Sequence, residues 1–109
     1  MREICLVRLD KTRPALVLTR EAARAAMTKV TVAPITTTIK SLSSEGLSSE
    51  VLVGPDNGLN HDCMVALDNV ISVPVNLLGR TVGYLNAEQE AQLARAVVLA
   101  FDLEIALLE

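Results

Sequence analysis

Apolar and polar positions alternate through the first third of the chain with a period of two, the signature of β-strands. Glu3 to Leu9, EICLVRL, mixes apolar and polar positions with β-branched content and predicts a strand half exposed to solvent. Pro14 to Thr19, PALVLT, predicts a second and more fully buried strand, and only Asp10 to Arg13 separates the two, so a tight hairpin is expected. Glu21 to Met27, EAARAAM, has good intrinsic helix propensity but too few residues to stand alone, so it reads as a short helix or turn. Lys29 to Ala33 returns to strand, Pro34 interrupts it and ITTTIK continues in extended form, which together predict a bent or bulged strand.

Beyond Lys40 the pattern breaks. SLSSEGLSSE, Ser41 to Glu50, carries the tetrapeptide LSSE twice around one glycine, the form of a tandem duplication in an exposed loop, where insertions cost little entropy. EVLVG is a short strand ending in the turn cluster GPDNGLN, and CMVALDNVISVPV supplies one or two further strands around Asp68 and Asn69. NLLGR reads as one helical turn and TVGYL as a last short strand. The helix signal is clearest near the end: Asn86 and Gln89 stand at capping-box spacing, and Leu93, Val97 and Phe101 with Ala94 and Val98 form an apolar stripe. The tail EIALLE has no core of its own and is expected to pack on the barrel or on a second subunit. Several short strands and one terminal helix predict a mainly β protein with helices, a small barrel or curled sheet.

Length and composition narrow the picture. A chain of 109 residues is expected to form a single domain, 1–109. Charged residues or glycine interrupt every apolar run before the ~18–20 residues a membrane span needs. The N-terminal MREICLVRLDKTR lacks the basic, then apolar, then small-residue order of a secretory signal, so a cytoplasmic location with no membrane is expected. Cys5 and Cys63 stand far apart within apolar segments and read as buried, reduced thiols. One histidine, His61, cannot build a multi-histidine metal site, so neither metal nor cofactor is expected, and His61 itself reads as a surface or capping residue. The net charge of −3 hides an asymmetry: residues 1–40 carry eight basic and three acidic side chains, the remainder two basic and ten acidic. That split fits ordinary solvated faces or a basic surface for an anionic ligand.

The order of segments IxLVxLD, RPALVLTR, VTVAPITTTI, EVLVG, LNHDCMVALDNVISVP, LLGRTVGYL and a closing helix ending AFDL resembles the MazF/PemK family of toxin endoribonucleases, the mRNA interferases, and most of all its short-hairpin mycobacterial members. RPALVL followed by APITTT at this separation is the most specific part of the match. The resemblance implies an SH3-like, CcdB/PemK-type small barrel with a C-terminal helix. It also implies a homodimer, single-stranded RNA bound in a groove, sequence-selective cleavage without metal, and inhibition by a MazE-type antitoxin. On the family's motif, the arginine before proline and the threonine of the P-I-T strand carry catalysis, and these are Arg13 and Thr36 here.

The chemistry of those two residues suits the role. RNA cleaves itself when the 2′-hydroxyl attacks the adjacent phosphate, so a catalyst must handle two protons and stabilise a phosphorane with extra negative charge. Arg13 offers a permanently cationic, planar fork for phosphate oxygens, and it is a poor general base. Thr36, β-branched on a strand, can hold a hydroxyl in a narrow rotamer range. The plain alternatives are that Arg13 pairs with Asp10 or is solvated, and that the threonine run reflects β propensity alone. LDKTRP leaves no room for the acidic residue that many relatives carry in a longer hairpin loop, and Asp10 is a stand-in. Lys11, Arg20, Lys40 and Thr37 are the expected RNA contacts, although each also fits a solvated surface or plain strand residue. With Tyr84 and Phe101 the only aromatics, base stacking on protein is limited. Two rival readings share the fold: a CcdB-like module that inhibits a topoisomerase, and a catalytically silent member that still binds antitoxin.

Overall fold

A computed structural model describes residues 2–19, 26–36 and 50–100. Among the described residues, seven strands, β1 (Glu3–Arg8), β2 (Thr12–Val17), β3 (Lys29–Thr36), β4 (Glu50–Val53), β5 (Cys63–Ala66), β6 (Ile71–Pro74) and β7 (Leu78–Tyr84), precede the helix α1 (Ala87–Ala100). The sheet runs β4-β5-β3-β2-β1-β7, all antiparallel, with β6 also on β3.

β3 explains the curl. Its first half, Lys29 to Val32, pairs with β6, and its last two residues, Ile35 and Thr36, pair with β5. Pro34 stands between the two partners, where a missing N–H costs least. The predicted bend is therefore a change of partner within one continuous strand rather than a break. β1 departs from expectation: Ile4, Cys5 and Val7 are all within 3% of full burial, so both faces of the strand are covered. The curled sheet has two apolar clusters. Ile4, Leu16 and Ile35 belong to one face, closed by β4, β5 and by Leu93 and Ala96 of α1. Cys5, Val7, Ala15, Val17, Val30, Val32 and Val73 form the other. A fully buried Leu16 contributes about 1.5–3 kcal/mol by removal from water.

The remaining differences are local. NLLGR divides: Val75–Leu77 is a 3-10 turn, while Leu78 already opens β7 because it pairs with Val7. Ala26 and Met27 are not helical, and residues 21–25 of the predicted short helix lie outside the described residues, as do the LSSE repeats, Phe101 and the tail. Cys5 and Cys63 are buried thiols outside any disulfide, as expected. On α1 the covered stripe is Leu93, Ala96 and Val97, with Ala94 exposed. Its start is the expected capping box: Gln89 N–H donates to Asn86 Oδ1 at 2.8 Å, and Asn86 N–H donates to Gln89 Oε1 at 3.0 Å. Glu88 and Glu90 in the first turn complement the helix dipole.

Candidate functional site

The β1–β2 hairpin turns over Leu9 to Lys11, where Asp10 Oδ1 accepts the Lys11 N–H at 2.8 Å and Leu9 N–H donates to Lys11 O at 3.1 Å. Asp10 is thereby used within its own turn. Arg13 follows on β2, exposed, with Val7 as its cross-strand partner. Pro14 is half buried, and Ala15, Leu16 and Val17 are buried behind it. A short apolar anchor thus fixes the backbone that presents the guanidinium. Among the described residues, the Arg13 side chain makes no hydrogen bond or ion pair, so the pairing with Asp10 is not formed.

Thr36 ends β3, half buried, opposite Met64 of β5. β2 and β3 pair as Ala15 with Pro34, Leu16 with Ala33 and Val17 with Val32. Carried two residues further, that register sets Arg13 across from Thr36. Strand alternation puts both on the face that carries Ala15, Val17, Val30 and Val32. Two residues far apart in sequence therefore fall toward the same end of one sheet face, a cation on β2 and a hydroxyl-bearing residue on β3.

Of the expected contact residues, Lys11 is exposed at the hairpin turn beside Arg13. Arg20, Thr37 and Lys40 lie outside the described residues. Arg8 is committed elsewhere, donating through Nη2 to Asn76 O at 3.1 Å. Arg2 is structural: its guanidinium donates to Leu18 O, and its backbone N–H donates to Glu90 Oε2 at 2.6 Å, tying the first strand to α1. Cys63 is a poor nucleophile, since burial first and the neighbouring Asp62 charge second push its thiol above the ordinary value of 9.0. Among the described residues no group of three or more His, Cys, Asp or Glu side chains could hold a metal ion.

Sequence reasoning missed a second feature, on the opposite side of the sheet end. Asn57, in the 3-10 turn Pro55–Asn57, is 2% exposed, and its amide pairs with that of Gln89. Asn57 Nδ2 donates to Tyr84 O at 2.8 Å and to Gln89 Oε1 at 2.7 Å, while its Oδ1 accepts Gly54 N–H and Gln89 Nε2, each at 3.0 Å. Gln89 Nε2 also donates to Leu52 O at 3.0 Å. The two amides thus join the ends of β4 and β7, the two outer strands of the sheet. The turn sits tightly on β7: a Cβ on Gly83 would lie 1.9 Å from Asn57 O, and Gly58, at φ 87°, would put one 2.0 Å from Val82 O. The visible sequence signals were the GPDNGLN turn and the capping-box glutamine.

Seven antiparallel strands curled into a half-barrel and closed by a C-terminal helix define a small β-barrel-like fold. Residues 2–101 match the model of the PemK-like, MazF-like toxins of type II toxin–antitoxin systems. The chain belongs to that family, and with it to the endoribonucleases. It is 52% identical over 104 residues to endoribonuclease MazF3 of Mycobacterium tuberculosis, spanning 95% of this chain and 96% of that one. It is 36% identical over 91 residues to the probable endoribonuclease MazF5 of the same species, spanning 83% and 79%. The solved structure of the Mycobacterium tuberculosis toxin MazF-mt6 superposes with a TM-score of 0.86 at 51% identity, covering 95% of this chain and all of that one.

Proposed function

We propose that this chain cuts single-stranded RNA without a metal ion, by attack of a 2′-hydroxyl on the adjacent phosphate. The 2′-O–P bond forms and the P–O5′ bond breaks; the hydroxyl gives up its proton and the departing 5′-oxygen gains one, leaving a 2′,3′-cyclic phosphate and a 5′-hydroxyl. Arg13 clamps the phosphorane oxygens through two parallel hydrogen bonds, a charge-stabilising role that strengthens as negative charge develops. Thr36 positions the reacting phosphate or the 2′-hydroxyl across from it. The observation that carries this reading is the Arg13 guanidinium, exposed and without a partner among the described residues, on the sheet face it shares with Thr36. Lys11, with Arg20, Thr37 and Lys40, would hold the flanking backbone, and cleavage would be sequence-selective.

The working unit is a homodimer in the cytoplasm, restrained by a MazE-type antitoxin. A solved structure of a mycobacterial endoribonuclease in complex with its cognate antitoxin has this fold, with a TM-score of 0.79 at 20% identity, and supports such a partner. The test is incubation of mixed-sequence RNA with the purified protein in EDTA, beside Arg13→Ala and Thr36→Ala. Wild type should cut to cyclic-phosphate ends at positions that share a sequence. Removing the arginine should slow cutting by roughly 10²–10³-fold, the loss typical of one charge-stabilising donor. Intact RNA with wild type, or cutting by both variants at the wild-type rate, would overturn the assignment.

A further inference from the structure

Behind Pro14, on the face of β2 opposite to Arg13, a hollow of about 270 Å³ opens to solvent. Its floor is apolar, built from Leu6, Pro14, Leu59 and Val82, and its rim carries Arg80 of β7 and His61 of the loop before β5. Both rim residues are exposed, and among the described residues neither side chain makes a hydrogen bond or ion pair. Among the described residues no carboxylate lines this hollow. Asp62, next to His61, turns away: its Oδ1 lies 2.7 Å from the point where a Cβ on Gly54 would stand, in a different cleft.

We propose that the hollow is a nucleotide subsite of the RNA substrate, taking one base against the apolar floor and a phosphate of the same strand on Arg80. This rests on the reading of Arg13 as the clamp of the scissile phosphate. Three observations carry it. The volume lies just below the ~300 Å³ at which clefts begin to admit drug-sized ligands, so a single base fits and an extended ligand does not. The charge is complementary to a phosphodiester, because the Arg80 guanidinium lines the hollow with no hydrogen-bond or ion-pair partner, and no acid lining it, among the described residues. The position is contiguous with the proposed clamp: Pro14 is the next residue after Arg13, and β2–β3 pairing stops at Ala15, so a flexible single strand can pass over the exposed end of β2 from one side to the other. With little aromatic surface in the chain, an apolar recess with a guanidinium at its edge supplies base contact by other means.

His61 is the one histidine of the chain, so its imidazole proton signals report on this hollow without an assignment problem. The probe is a short oligonucleotide of 2′-deoxy units, which lacks the attacking hydroxyl and stays intact. Saturable movement of the His61 signals in wild type and in Arg13→Ala, abolished in Arg80→Ala and partly restored in Arg80→Lys, is the expected result. Arg80→Ala should also raise KM about tenfold more than it lowers kcat, as loss of a ground-state phosphate contact does, and should redistribute the cut sites read from product 5′ ends. His61 signals that stay still while wild type cuts RNA in an Arg13-dependent way would remove the subsite and leave the nuclease standing. Still signals and no cutting would remove both. Equal movement with inorganic phosphate alone would reduce the hollow to an anion site, and movement with an acidic peptide alone would assign it to a protein partner; either overturns the proposal.

Discussion

The hairpin end of β2 and the amide clasp between Asn57 and Gln89 are both polar, yet they are built on opposite terms. In the clasp, two side chains share their hydrogen bonds with each other and with the backbone of β4 and β7, and Asn57 is almost wholly buried. At the hairpin, Arg13 stands exposed on a buried anchor without any described partner. Satisfied buried polar groups hold a fold, since leaving one unpaired costs about 1–3 kcal/mol. An exposed cation without a partner adds little to stability and remains available to a ligand. Polarity thus divides between a buried pair that closes the sheet and an exposed cation available to a ligand.

Substitutions should separate the two regions in a fixed order. Arg13→Ala is the largest functional change, with cutting reduced roughly 10²–10³-fold and thermal midpoint unmoved; a fall in midpoint matching the loss of activity would erase the distinction. Asn57→Ala should do the reverse, lowering stability by about 2–3 kcal/mol, or ~10–20 °C for a domain of this size, with cutting per folded molecule retained in the cold. Gln89→Ala keeps the buried turn but frees one of its partners, so about 1–2 kcal/mol should be lost, and a double-mutant cycle with Asn57→Ala should show strong coupling. Lys11→Ala, at the exposed turn, should weaken RNA binding a fewfold and reduce the slope of log affinity against log salt by about one. The smallest effect concerns Cys63. Its raised thiol favours the folded state fully below the unfolded value near 9.0, and this contribution fades as pH rises through the higher folded value. A urea midpoint followed from pH 8 to pH 10 should fall slightly more in wild type than in Cys63→Ala.

Much of this was legible in the chain. The β1–β2 hairpin followed from two strand patterns with a short polar gap, and the helix start from Asn86 and Gln89 at capping-box spacing. Pro34 announced a bend in β3 because proline cannot donate to a ladder. Arg13 and Thr36 were chosen from a motif, and their common sheet face needed the register of β2 on β3. Leu78 read as part of a helical turn because its strand character comes from pairing with Val7, more than 70 residues away in sequence. Gln89 read as a cap alone. That the same amide also reaches Asn57 and Leu52 O depends on where the Pro55–Asn57 turn docks, which no local pattern encodes.

The sequence by itself determined most local elements and named the candidate site residues, since propensity, turn chemistry and capping act over a few neighbouring residues and the motif is local. Only the tertiary structure decided which strand edges meet, that both faces of β1 are covered, and that Arg80 and His61 rim one hollow beside Pro14. Those outcomes depend on long-range register and on the curl of the sheet, which packing sets once all the strands are in place.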